Sequence, residues 1–100
     1  NDTTPDGVNP FARPFSVELD RVNNRVLVAD DRNGLVAVDL TSGARTMLSG
    51  ASTPDGVNAF SAAYGVALDS VNNRALVTDD TLGALVAVDL VNGQRVILSR

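Results

Sequence analysis

Nearly all of the side chains able to do chemistry are aspartates, and they recur as doublets. Asp30-Asp31 and Asp79-Asp80 sit at matching places in the chain, and Asp6 and Asp55 recur inside two copies of TPDGVN. Carboxylates gathered at that density attract hard cations such as Ca²⁺, which takes about six to eight oxygen ligands. The same doublets suit turns, one carboxylate of each pair accepting backbone N–H bonds and the other left in water. Both readings stand, so Asp30, Asp31, Asp79 and Asp80 are candidate ligand-binding residues and weak candidates for metal ligands. Ca²⁺ is the one cofactor they suggest. Glu18, the sole glutamate, joins the candidates. DTTPDG at the start superficially resembles a calcium-loop opening, but no acidic residue stands at the twelfth position, so that match is discarded.

The rest of the composition removes most catalytic options. The 100 residues hold eight arginines and no lysine, eleven aspartates and one glutamate, and no His, Cys or Trp. Without cysteine there is no disulfide framework, thiol nucleophile or Cys/His zinc site. Without histidine a Ser-His-Asp arrangement is impossible. Lack of lysine excludes a Walker-A loop and a Schiff base. A net charge of −4 argues against binding nucleic-acid backbones. No apolar run approaches the ~18 residues of a membrane span, and NDTTPDG does not read as a signal peptide. Aspartate excess without lysine suits an exported, periplasmic or extracellular protein.

The elements that must position the aspartates come in duplicate. Residues 4–50 align with residues 53–100, and 29 of 47 aligned positions are identical, far beyond chance, with Ala84 read as the single insertion. The chain therefore divides into 1–50 and 51–100, each a connection followed by four short strands. Phe15–Leu19, Arg25–Ala29, Leu35–Leu40 and Arg45–Ser49 are the strands of the first unit. Tyr64–Leu68, Arg74–Thr78, Leu85–Leu90 and Arg95–Ser99 are those of the second. Asp20 to Asn24 and Asp69 to Asn73 form tight turns in which Asn takes left-handed dihedrals. Gly43 and Gly93 serve the next hairpin in the same way. No segment carries apolar residues at helical spacing over ten residues, so helix is expected to be nearly absent.

The strands are apolar at consecutive positions: VLVA, LVAVDL, ALVT, LVAVDL. A sheet with one wet face alternates instead. Both faces of each sheet must therefore be covered, and with no helices the cover must be another such sheet. Four-stranded units of ~40–50 residues stacked face to face describe β-propeller blades. An immunoglobulin-like sandwich is the competitor, but it needs wet outer faces and Greek-key connections that a duplicated meander does not supply.

PFSVELDRVNNRVLVADD followed by LVAVDLTSGARTML resembles the repeats of NHL, YWTD and SMP-30-like six-bladed propellers. The second copy is closer, because Tyr64-Gly65-Val66-Ala67-Leu68-Asp69 keeps a glycine where the first has Ser16. That resemblance implies ligands at one end of a central channel, built from the loops after the second strands and from the connections. Asp30 to Gly34, Asp79 to Gly83, Asp6 and Asp55 would then gather on one face. It also places Glu18 on the channel-lining strand, as a carboxylate ring around the axis or as a partner of Arg13. Arg25, Arg74, Arg45 and Arg95 are expected to grip Asp20, Asp69, Asp39 or Asp89. Phe11, Phe60, Phe15 and Tyr64 read as plugs between blades and connections.

Two blades cannot close a ring. A blade–blade contact burying roughly 600 Å² of apolar surface would yield about 15 kcal/mol as an upper estimate. Association costs roughly 4–15 kcal/mol, so closure with no open face is favoured over a single contact. Three chains would give six blades with C3 symmetry. The expectation is an all-β homotrimer acting as a non-catalytic binding or scaffold module for a small molecule or protein, with no nucleic acid or membrane involved. A longer propeller containing these residues would present the same faces. The alternatives are a metal-dependent hydrolase similar to the SMP-30 lactonases and a calcium- or carbohydrate-binding surface module.

Overall fold

The computed structural model describes residues 4–100. Eight strands form two antiparallel meanders, and no helix occurs among the described residues. The first sheet has the order β1 (Pro14–Asp20), β2 (Arg25–Asp30), β3 (Gly34–Asp39), β4 (Arg45–Ser49). The second has the order β5 (Ala63–Asp69), β6 (Arg74–Asp79), β7 (Ala84–Asp89), β8 (Arg95–Ser99). Strand bounds fall within a residue or two of those expected from the sequence. Asn24 and Asn73 hold φ of 51° and 50° in their turns, and Gly43 and Gly93 hold 78° and 76°.

Register corrects the expected position of the insertion. Asp30 pairs with Gly34 in the first sheet, and Asp79 pairs with Ala84 in the second. Ala84 is thus the counterpart of Gly34, and the extra residue lies in the turn Asp80–Gly83. Identity had favoured matching the two glycines, while the hydrogen-bond ladder matches strand starts.

Each sheet uses one face to meet the other, and the two faces are different. Cross-strand pairing puts Leu27, Ala29, Leu35 and Ala37 on one face of the first sheet. Those side chains pack against Ala75, Val77, Val86 and Val88 of the second sheet, all in one buried cluster edged by Leu48, Val66, Leu68 and Ile97. In the second sheet these residues occupy the face equivalent to Val26, Val28, Val36 and Val38, the reverse side of the first sheet. The contact is therefore heterologous: front of sheet one against back of sheet two. β1 lies beside β5, and the Ser16 hydroxyl donates to the Tyr64 carbonyl at 2.9 Å.

The two remaining faces are apolar and partly open, with Val28 and Val36 on the back of the first sheet and Ala87 on the front of the second already buried. On the back of the first sheet Val17 is 61% exposed and Leu19 39%, while their counterparts Val66 and Leu68 are half-buried. On the front of the second sheet Val96 and Leu98 are 57% and 46% exposed, and Leu76 and Leu85 are half-buried where Leu27 and Leu35 are wholly covered. The consecutive apolar pattern thus describes two greasy faces per sheet, of which this chain covers one fully and the other in part.

Candidate functional site

The doublets lie where β2 turns into β3 and β6 into β7, at one end of the paired sheets, and the two members of each have separate tasks. Asp30 is fully buried and accepts four backbone N–H bonds, from Ala12 (2.8 Å), Arg13 (3.2 Å), Arg32 (3.0 Å) and Asn33 (3.1 Å). Asp79 does the same for Ser61 (2.7 Å), Ala62 (3.1 Å) and Leu82 (2.9 Å). Each carboxylate ties the incoming connection to the turn beyond its own strand, a charge-assisted arrangement stronger than neutral pairing. Their oxygens point into the backbone. The turn-capping reading describes Asp30 and Asp79.

Asp31 and Asp80 face outward and share a cleft of about 680 Å³ with Arg13, Phe15, Arg32, Ser61, Tyr64 and Thr81. Arg13 pairs with Asp31 at 3.3 Å and lies over the Phe15 ring at 5.4 Å. Glu18 was the expected partner of Arg13; it is half-buried in β1, opposite Leu27, and does not line the cleft. Phe15 and Tyr64 are not plugs between blade and connection. Their rings stack on each other, centroids 4.6 Å apart, and stand 43% and 51% exposed on adjacent first strands. Phe60, by contrast, packs against the buried core, as a plug should. Cleft size falls within the range of small-molecule sites, and aromatic faces beside cations and hydroxyls offer stacking and hydrogen bonding together. Among the described residues no three His, Cys, Asp or Glu side chains gather to hold a metal ion.

The TPDGVN segments do not join this cleft. Asp6 and Asp55 each close a local turn, accepting the N–H of Val8 and of Val57, both at 2.9 Å. Arg45 and Arg95 hold these segments, starting β4 and β8 at the opposite end of the sheets from the doublets. The Arg45 guanidinium donates to the carbonyls of Thr4, Asp6, Val8 and Asn9. Arg95 donates to the carbonyls of Val57, Asn58, Thr53 and Asp55, and also to the Ser49 hydroxyl at the end of the first sheet and the Gly50 carbonyl just beyond it. Burial lowers the pKa of Arg95 from its ordinary value, and the Asp55 charge partly opposes that.

Contrary to the expectation from the sequence, these two arginines do not pair with Asp39 or Asp89. Asp39 and Asp89 instead cap their own hairpins, Asp39 accepting from Thr41 (2.7 Å) and Ser42 (3.0 Å), and Asp89 from Val91 (2.7 Å) and Asn92 (3.3 Å). Arg25 and Arg74 behave as expected, reaching Asp20 at 2.8 Å and Asp69 at 2.9 Å. With this geometry in view, the chain was compared with known proteins: no protein-family model matches it, and no curated protein does.

Proposed function

We propose that the chain is a non-catalytic binding and scaffold module, a pair of propeller blades that packs head to tail into a closed six-bladed ring of three copies. One observation carries this reading. The face left open on the first sheet is of the same kind as the covered face of the second, and the face left open on the second is of the same kind as the covered face of the first. One copy therefore offers the next a repeat of the contact already made inside the chain. Heterologous contacts of that type close into rings or run on as filaments. Resemblance to NHL, YWTD and SMP-30-like repeats supports six blades as the stopping point.

A ring would display the Phe15–Tyr64 cleft on one rim in each copy, where an unidentified small molecule or protein segment would meet aromatic faces, Arg13, Arg32 and outward carboxylates. No catalytic group is assigned: Asp30 and Asp79 are committed to backbone amides, and the cleft offers no strong general base beyond Asp31 and Asp80. Light scattering on the purified 100-residue chain at micromolar concentration tests the assembly, with three chain masses expected. A single chain mass with both outer faces wet would refute it.

A further inference from the structure

The front of the second sheet carries a cavity of about 360 Å³ at the doublet end, bordered by Thr78, Gly83, Ala84, Leu85 and Ser99. The same place on the first sheet is filled. Ala29, Leu35 and Ser49, the counterparts of Thr78, Leu85 and Ser99, are wholly buried. The Phe60 ring comes up against Gly34 there, 3.2 Å from where a Cβ on that glycine would stand. Ala84, in the position of Gly34, is packed into the core between the sheets.

Phe60 belongs to the connection entering the second sheet, and its counterpart in the connection entering the first is Phe11. Both rings are mounted alike: the Arg95 guanidinium lies 5.7 Å from the Phe60 centroid, and that of Arg45 lies 5.8 Å from Phe11. We infer that Phe11 of a second copy fills the Thr78–Leu85–Ser99 cavity, as Phe60 fills its equivalent within the chain. The hollow is open to solvent and also lined by Asp80 and Arg100; a benzene ring needs only ~150 Å³ in an enclosed apolar cavity, so the volume suffices. Ser99, exposed here, would then approach the Gly43 turn of that second copy, as the Ser49 hydroxyl donates to the Gly93 carbonyl at 2.9 Å. The inference rests on the head-to-tail assembly and names the residue that one copy lends another.

Two variants placed on opposite sides of the seam test it by light scattering and sedimentation. Phe11→Ala and Leu85→Asp should each raise the concentration for half-assembly at least about a hundredfold, given what a lost aromatic or a buried carboxylate costs. Mixed in equal amounts they can make one intact seam, Phe11 of the Leu85→Asp chain meeting the cavity of the Phe11→Ala chain, but no closed trimer, because the return seam carries both defects. A parent chain that is monomeric would overturn the assembly and this inference with it. An oligomeric parent whose Phe11→Ala variant assembles at the parental concentration overturns the inference alone. So does an equal mixture that closes into trimers.

Discussion

Gly43 and Gly93 form a matched pair for separating strain within a hairpin from contact across a seam. Their φ values are 78° and 76°, so alanine meets the same backbone penalty at either. That penalty is roughly 1–2 kcal/mol for a left-handed L-residue, offset by about 0.4–1 kcal/mol from a stiffer unfolded chain. Their surroundings differ. A Cβ on Gly43 finds only the Pro5 ring, at 3.6 Å, whereas one on Gly93 runs into the Leu48 carbonyl of the other sheet. Forcing that contact adds roughly 1–3 kcal/mol of overpacking. In dilute solution Gly43→Ala should therefore lower the melting midpoint by about 4–8 °C, the shift expected for ~1 kcal/mol in a domain this size. Gly93→Ala should lower it at least twice as far. In the proposed ring Gly43 would face Leu98 of a second copy, so its variant should lose oligomer mass as well. Equal melting midpoints for both variants at dilution, or a Gly43→Ala assembly indistinguishable from the parent, would refute the claim that the outer seam repeats the inner one.

Other outcomes follow from the same contacts. Val38→Asp, on the back of the first sheet, should convert the proposed assembly to single chains; an unchanged mass would remove Val38 from the seam. Asp30→Asn should destabilise by about 2–4 kcal/mol, since four amides lose a charged acceptor, while Asp31→Asn should cost less than about 1 kcal/mol. Calorimetry showing the two equal would contradict the division of labour within the doublet. Acid should weaken the fold through Asp20, Asp39 and Asp69. At Asp20, burial acts to raise the pKa but is outweighed by hydrogen bonds from Asn23 and Arg25, leaving it below 3.8. Asp39 is lowered by the Ser42 and Thr41 amides, and Asp69 by Asn72 and Arg74. A depressed folded-state pKa stabilises above the unfolded value, and the gain is lost as pH falls through the folded one. Melting midpoints should hold above about pH 4 and fall below it, with a shallower fall in an Asp20→Asn, Asp69→Asn double variant.

The fold was legible because strand length, turn residues and duplication all said the same thing. Asn24, Gly43 and their counterparts announce left-handed turns by residue type, and VLVA and LVAVDL announce apolar side chains on both faces. The site was legible only in part. Sequence could name the doublets, but Asp30 differs from Asp31 only in which way a strand residue points at its last step, and that depends on register. The roles of Arg45 and Arg95 were missed because their partners are carbonyl oxygens, which no residue letter records. Their signal was positional: each repeat keeps TPDGVN and an arginine at the start of its last strand together. Stacking of Phe15 on Tyr64 required knowing that first strands of successive sheets are neighbours.

The reach of Arg95 into Ser49 and Gly50 has a bearing on how the molecule comes apart. One guanidinium, mounted on the second meander, gathers acceptors from the end of the first meander and from the linking segment, so the second unit is incomplete without its predecessor. Cooperative unfolding should thus follow boundaries offset from those of the duplicated text, and an isolated 51–100 peptide would lack two of the oxygens its central cation was shaped to hold.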